Sequence, residues 1–168
     1  MYEFRKPKLK SKGVEEVILE VISTNTPAIK SYEKIGFKIE RELSCFSGEL
    51  IIKRENTQVN IEKLDYPNLI KLSTIGEIKP TWQNSNETIK NLYSDALILA
   101  ATIDSEFVGY LVVNKNNNRI LQIAVKEEFR KKSIGSSLLK YIADNISKKT
   151  SIINVDSYYH STLSFLRI

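Results

Sequence analysis

Leu121–Ile142 reads LQIAVKEEFRKKSIGSSLLKYI, and its order of elements decides the fold. RILQIAV, at 119–125, has the apolar and β-branched content of a buried strand. KEEF at 126–129 interrupts it, and Ile134, Leu138, Leu139, Ile142 and Ile146 then recur at helical spacing. Lys148 and Lys149 suit the negative pole of that helix. Strand, basic loop and helix start together describe an anion site. The first N–H groups of a helix have no intrahelical acceptor, its dipole presents a positive end, and Arg130, Lys131 and Lys132 add charge there. Gly135 leaves the backbone open to close approach by a diphosphate. Basic residues precede many helices, so these residues alone leave a solvated turn and a phosphate site both open.

Upstream, ALILAATI (96–103), a turn at SEF, VGYLVVN (108–114), a turn at KNNN and then RILQIAV predict three strands of an antiparallel meander. Downstream, SIINV (151–155) predicts another strand. NIEKLDYPNLIKL (60–72) reads as strand into helix with Asp65 as N-cap. The stretch to Leu92 predicts short helices, with Trp82 as a packing anchor. Near the start, EEVILEV (15–21) reads as a buried strand. A helix follows, with Pro27 in its first turn, Ile29, Tyr32 and Ile35 on one face and Gly36 as its left-handed cap. FKIERELSCF and ELIIKRE, joined at Ser47–Gly48, predict a hairpin across 37–53.

A chain of 168 residues with 42% hydrophobic content suits one compact domain. Its longest apolar runs, Ala96–Ala101 and Ile120–Val125, fall far short of the roughly 20 residues a membrane helix needs. The basic N-terminus is followed by no signal-peptide core, so the expected compartment is the cytoplasm. Cys45 has no partner for an internal disulfide, and no Cys or His spacing suggests a metal site. The net charge of +5, concentrated at Arg5, Lys6, Lys8, Lys10 and Lys12, comes without a nucleic-acid-binding signature and reads as a solvated face. Neither nucleic acid nor membrane is an expected partner.

Ala124 and Val125 ahead of KEEF, with Arg130 opening RKKSIGS, resemble the acetyl-CoA motif of the GNAT superfamily of N-acetyltransferases. That family has a strand ending in an Ala-Val-like pair, a short turn, then RxxGxG or RxxGxA. The resemblance implies an α/β (α+β) fold: a mixed, mostly antiparallel sheet flanked by helices. It implies acetyl-CoA as cosubstrate and no metal. It further implies that the backbone of Ile123, Ala124 and Val125 holds the pantetheine arm, and that Arg130, Lys131, Lys132, Ser133, Ile134, Gly135 and Ser136 hold the diphosphate. Ser133 departs from the pattern where the first glycine usually stands. With a negative φ there, cofactor binding would be weakened but not abolished, whereas a positive φ would cost about 1 kcal/mol or more.

VILEVISTNTPAIKSYEKIGFKIERE resembles the later half of the same fold, yet precedes the cofactor motif. SIINVDSYYHSTLSFLRI resembles the start of that half again, with Phe165 matched to Tyr32 and Ile168 to Ile35. The implied organisation joins the end of one copy to the start of another. Residues 1–55 would be the C-terminal half of a first copy (strand, helix, hairpin), and 56–168 the N-terminal and central part of a second, the two packing as one domain. Residues 37–53 would complete the second copy's sheet, either within the chain as a circular permutation or in a partner as a strand-swapped homodimer. Tyr32 is the implied proton donor to the departing thiolate, with Asn25 ahead of it in the cofactor site. Tyr158 or Tyr159 are substitutes, and His160 or Asp156 are conceivable bases acting through water. Two functions stand: acetyl transfer to a primary amine of a small molecule or peptide, and a catalytically degenerate module that binds CoA or a protein.

Overall fold

The computed structural model describes residues 2–72, 75 and 80–166. Contacts divide it into residues 1–41 and 42–168, two units taken here one at a time.

The first unit holds helices α1 (Tyr2–Ser11) and α2 (Thr26–Lys34). Asn25 caps α2 through Ala28 N–H, at 3.3 Å, with Pro27 in the first turn. At the other end Gly36, at φ +94°, lets Gly36 N–H reach Glu33 O and Phe37 N–H reach Tyr32 O. The Tyr32 and Phe37 rings meet edge to face with centroids 6.0 Å apart. This is the hydrogen-bonded left-handed stop, with its accompanying apolar contact, that the glycine foretold. The strand expected at 15–21 does not form: 14–22 has no regular structure, and Ile18 and Ile22 are 58% and 75% exposed. A strand needs a ladder to satisfy its backbone, and among the described residues no strand ladder includes this segment.

The second unit is built on a six-stranded sheet. Its strands are β1 (Leu43–Glu49), β2 (Asn60–Leu64), β3 (Ala96–Ile103), β4 (Glu106–Asn114), β5 (Arg119–Val125) and β6 (Lys149–Asp156). They lie in the order β1-β6-β5-β4-β3-β2, antiparallel throughout except for the parallel β5–β6 pair. Helices α3 (Tyr66–Leu72) and α4 (Asn86–Asn91) lie between β2 and β3, α5 (Ile134–Asn145) crosses from β5 to β6, and α6 (His160–Leu166) follows. Asp65 accepts from Asn68 N–H at 3.2 Å, as the cap reading required.

Both faces of the central strands are covered, which is why β3 and β4 read as nearly unbroken apolar runs. Leu99, Leu111, Val113 and Ile120 pack on one face with Ile134, Leu138 and Ile142 of α5. Ile98, Tyr110, Val112 and Leu121 pack on the other with Leu69 and Ile89. Trp82 is 56% exposed and is not the packing anchor its size suggested.

The hairpin expected across 37–53 is a single strand. Gly48 pairs with Thr150 inside the β1–β6 ladder, and Leu50 N–H still donates to Lys148 O at 2.7 Å. Pairing with β6 gives residues 43–49 a longer ladder than folding back on 50–53 would, and it covers the edge of β6 from within the same chain.

Candidate functional site

The β5–β6 ladder registers only two pairs, Arg119↔Ser151 and Ile120↔Ile152, although both strands continue. The cause lies in β5. Val112 faces Gln122 and Val113 faces Ile120, so Leu121 is an extra residue, and such a bulge bends the strand that carries it. The opening is also satisfied chemically. Asn84, in the 3-10 turn Trp82–Asn84 and only 4% exposed, donates from Nδ2 to Ile153 O at 2.9 Å. Its Oδ1 accepts from Arg119 Nη2 at 3.1 Å and its carbonyl from Gln122 Nε2 at 2.7 Å. The first β6 carbonyl beyond the ladder thus has a partner, and the two strands are held apart rather than frayed.

On the α5 side the opening leads into a cleft of about 1300 Å³. Ile123, Ala124 and Val125 form its strand wall, Arg130, Lys131 and Ser133–Ser136 its loop and helix wall, and β1 with residues 50–54 the side opposite. Arg130 Nε donates to Val125 O at 3.3 Å, tying loop to strand. Lys132 does not line the cleft, because its Nζ sits 4.8 Å above the Phe129 ring. Asn56 latches the opposite side to the loop: its Nδ2 donates to Lys132 O at 3.0 Å and its N–H to Ser137 Oγ at 2.9 Å.

Ser133 adopts φ +59°, ψ +16° and is the residue just ahead of α5. The position therefore takes the conformation that its usual glycine would adopt without strain, and Lys131, at φ +61°, does the same two residues earlier. At Gly135 the ring of Phe165 is the near neighbour: a Cβ there would stand 3.0 Å from Phe165 Cζ.

A smaller cavity of about 100 Å³ lies between the separating strands and is bordered by Asn84, Asn86, Tyr110, Gln122 and Asp156. Tyr110 donates its hydroxyl to Gln122 Oε1 at 3.1 Å, and burial pushes its pKa up to about 12. Gln122 does not line the large cleft and belongs to this network. Tyr159 borders both cavities, and Phe165 and His160 border the large one.

Nine of the twelve residues singled out from the sequence thus line one cleft. Lys132 stands behind it, while Asn25 and Tyr32 belong to the first unit, where they cap and close α2. Ile168, matched to Ile35, lies outside the described residues, as do 73, 74 and 76–79 in the stretch to Leu92. Sequence reasoning missed Asn84, whose only signal was a polar residue in an unpatterned segment, and Lys53 and Arg54, which it placed in a hairpin. Among the described residues no group of His, Cys, Asp and Glu is placed to hold a metal ion, and no helix is long and apolar enough to cross a membrane.

Comparison with known proteins bears on this geometry. Residues 73–165 match the family model described as an acetyltransferase (GNAT) domain. No curated protein matches. Among solved structures, a functionally unknown conserved protein from Staphylococcus epidermidis is similar at TM-score 0.62 and 19% identity, over 98% of this chain and 71% of that one. A Drosophila protein is similar at TM-score 0.59 and 10% identity, over 88% of this chain and 53% of its own. A GCN5-related N-acetyltransferase from Kribbella flavida is similar at TM-score 0.51 and 12% identity, over 75% and 52%. At these identities the structures speak to fold, and the family model covers more than half the chain: with its splayed strands and basic loop, it belongs to the GNAT acetyltransferase family.

Proposed function

We propose that the protein transfers the acetyl group of acetyl-CoA to a primary amine of a small molecule or peptide, by direct attack in a ternary complex. The observation that carries this is the built-in separation of β5 from β6, which exposes strand backbone to a cleft that ends at a basic loop. The residues fit the cosubstrate: a strand edge for an amide-bearing arm, N–H groups and cations for a diphosphate, and a volume above the roughly 300–1,000 Å³ of common ligand sites. When bound, acetyl-CoA supplies the activated thioester.

The chain's own part is positioning and charge stabilisation. Backbone groups of Ile123 and Ala124 would orient the arm, and Arg130, Lys131 and residues 133–136 would hold the phosphates. Tyr159, which borders both cavities, is the hydroxyl proposed to protonate the thiolate, since Phe165 carries none. Tyr32 is proposed to keep that role in the copy that residues 1–55 finish. Thiol release measured against a panel of primary amines tests the reading. Turnover with at least one amine is expected, with kcat lowered about 10²–10⁴-fold in Tyr159→Phe; thiol release unchanged in that variant overturns the donor assignment.

A second reading, a CoA-binding module without turnover, is favoured by one observation. The aromatic ring against Gly135 belongs to Phe165, which lacks the hydroxyl its matched residue Tyr32 carries. Tight acetyl-CoA binding without thiol release for any amine would support it.

A further inference from the structure

Two cations outside the loop line the same cleft: Lys53 and Arg54, on the chain that leaves β1. With Arg130 and Lys131 they give the lining four cations against one carboxylate, Glu49. Their place is fixed by neighbours rather than by the β1 ladder, which ends at Glu49. Two and three residues on, Asn56 bonds Lys132 O and Ser137 Oγ, and the Glu55 carboxylate approaches Lys140 Nζ at 4.0 Å. Residues 55 and 56 are thereby tied to the loop and the first turns of α5.

We propose that Lys53 and Arg54 form a second phosphate subsite, which takes the ribose 3′-phosphate of the CoA nucleotide. This rests on the acetyl-CoA reading above. With the diphosphate proposed at 130–136, the ribose 3′-phosphate is the remaining anion of the cosubstrate, and Lys53 and Arg54 are the cations of the same cleft outside the loop. A phosphate monoester at neutral pH carries nearly two negative charges, and two exposed cations that share it gain from charge-assisted hydrogen bonds. No other anion on this cosubstrate reaches past the diphosphate. Specificity for the phosphorylated nucleotide then comes from residues that the cofactor loop itself does not contain.

Calorimetric titration of acetyl-CoA and of acetyl-3′-dephospho-CoA into the full chain tests this. Wild type is expected to bind acetyl-CoA about tenfold more tightly than the dephospho form, in a salt-sensitive way. Lys53→Ala/Arg54→Ala should lose that preference while keeping its affinity for the dephospho form. Lys63→Ala/Lys115→Ala, which removes the same charge from positions outside the cleft, should keep it. Both cation pairs are exposed, and circular dichroism of each variant is the check that it folds. Equal wild-type affinity for the two nucleotides overturns the subsite but not the cosubstrate. Equal weakening of both in the Lys53→Ala/Arg54→Ala variant also overturns it, by placing these cations on the diphosphate. Binding of neither nucleotide by wild type removes the acetyl-CoA reading, and the subsite with it.

Discussion

Ser133 shows how far one residue can be read before its backbone is seen. The sequence posed an alternative, weakened cofactor binding at negative φ or backbone strain at positive φ, and the residue sits at +59°. A left-handed L-residue costs roughly 1–2 kcal/mol, whereas glycine loses about 0.5–1 kcal/mol through the freedom of its unfolded chain. Ser133→Gly should therefore stabilise the fold by about 0.5–1 kcal/mol, measured as a raised denaturant midpoint at unchanged slope. Tyr110 gives a second residue-scale expectation. Its folded pKa of about 12 exceeds its ordinary value of 10.0 because burial disfavours the phenolate. Between these values the unfolded chain has lost the proton that the fold retains. The stabilisation is thus complete below pH 10 and is lost as pH rises toward 12, by about 3 kcal/mol in all. Urea titrations in that window should show the loss, and Tyr110→Phe should flatten it. Neither residue's environment was legible in advance, because φ and burial are decided by partners distant in sequence.

Elements were legible where their own residues decide them. The meander and α5 follow from apolar period, and α2 from a cap, a proline and a glycine. The failures share one cause: a strand is a half-made object whose partner is elsewhere. Residues 15–21 have strand composition and no ladder, while 43–49 exchanged an expected hairpin for β6. The Leu121 bulge left only a doubled apolar pair as its trace, yet it shapes the site. Gly109 guards the same region: a Cβ there would lie 2.7 Å from Ala124 O, a backbone atom with little room to move. Gly109→Ala should destabilise by about 1–3 kcal/mol in chemical denaturation and weaken cofactor binding by displacing the cleft's strand wall. Asn84→Ala should lower stability by about 1–3 kcal/mol, since Ile153 O loses its partner in a half-buried place.

At the scale of the whole molecule, the sheet, its flanking helices and the cleft all lie within residues 42–168, and the family model covers 73–165. The loop was the most legible part of the site because its chemistry is local: charge, glycine and helix start lie within seven residues. The wall opposite it was illegible, because Lys53 and Arg54 lie far from the loop in sequence, and the neighbouring Asn56 ties their segment to Lys132 O and Ser137 Oγ. The tandem origin of residues 1–55 and 56–168 remains our proposal, and the central claim does not depend on it. That claim is that the cleft walled by β5, the basic loop and β1 holds acetyl-CoA with its diphosphate at Arg130–Ser136. It is tested most directly by calorimetric titration of acetyl-CoA into wild type and Gly135→Glu. Saturable one-to-one binding by wild type, lost in the variant, is the expected result. No heat of binding by wild type up to about 1 mM cosubstrate, or undiminished binding by the variant, would contradict it.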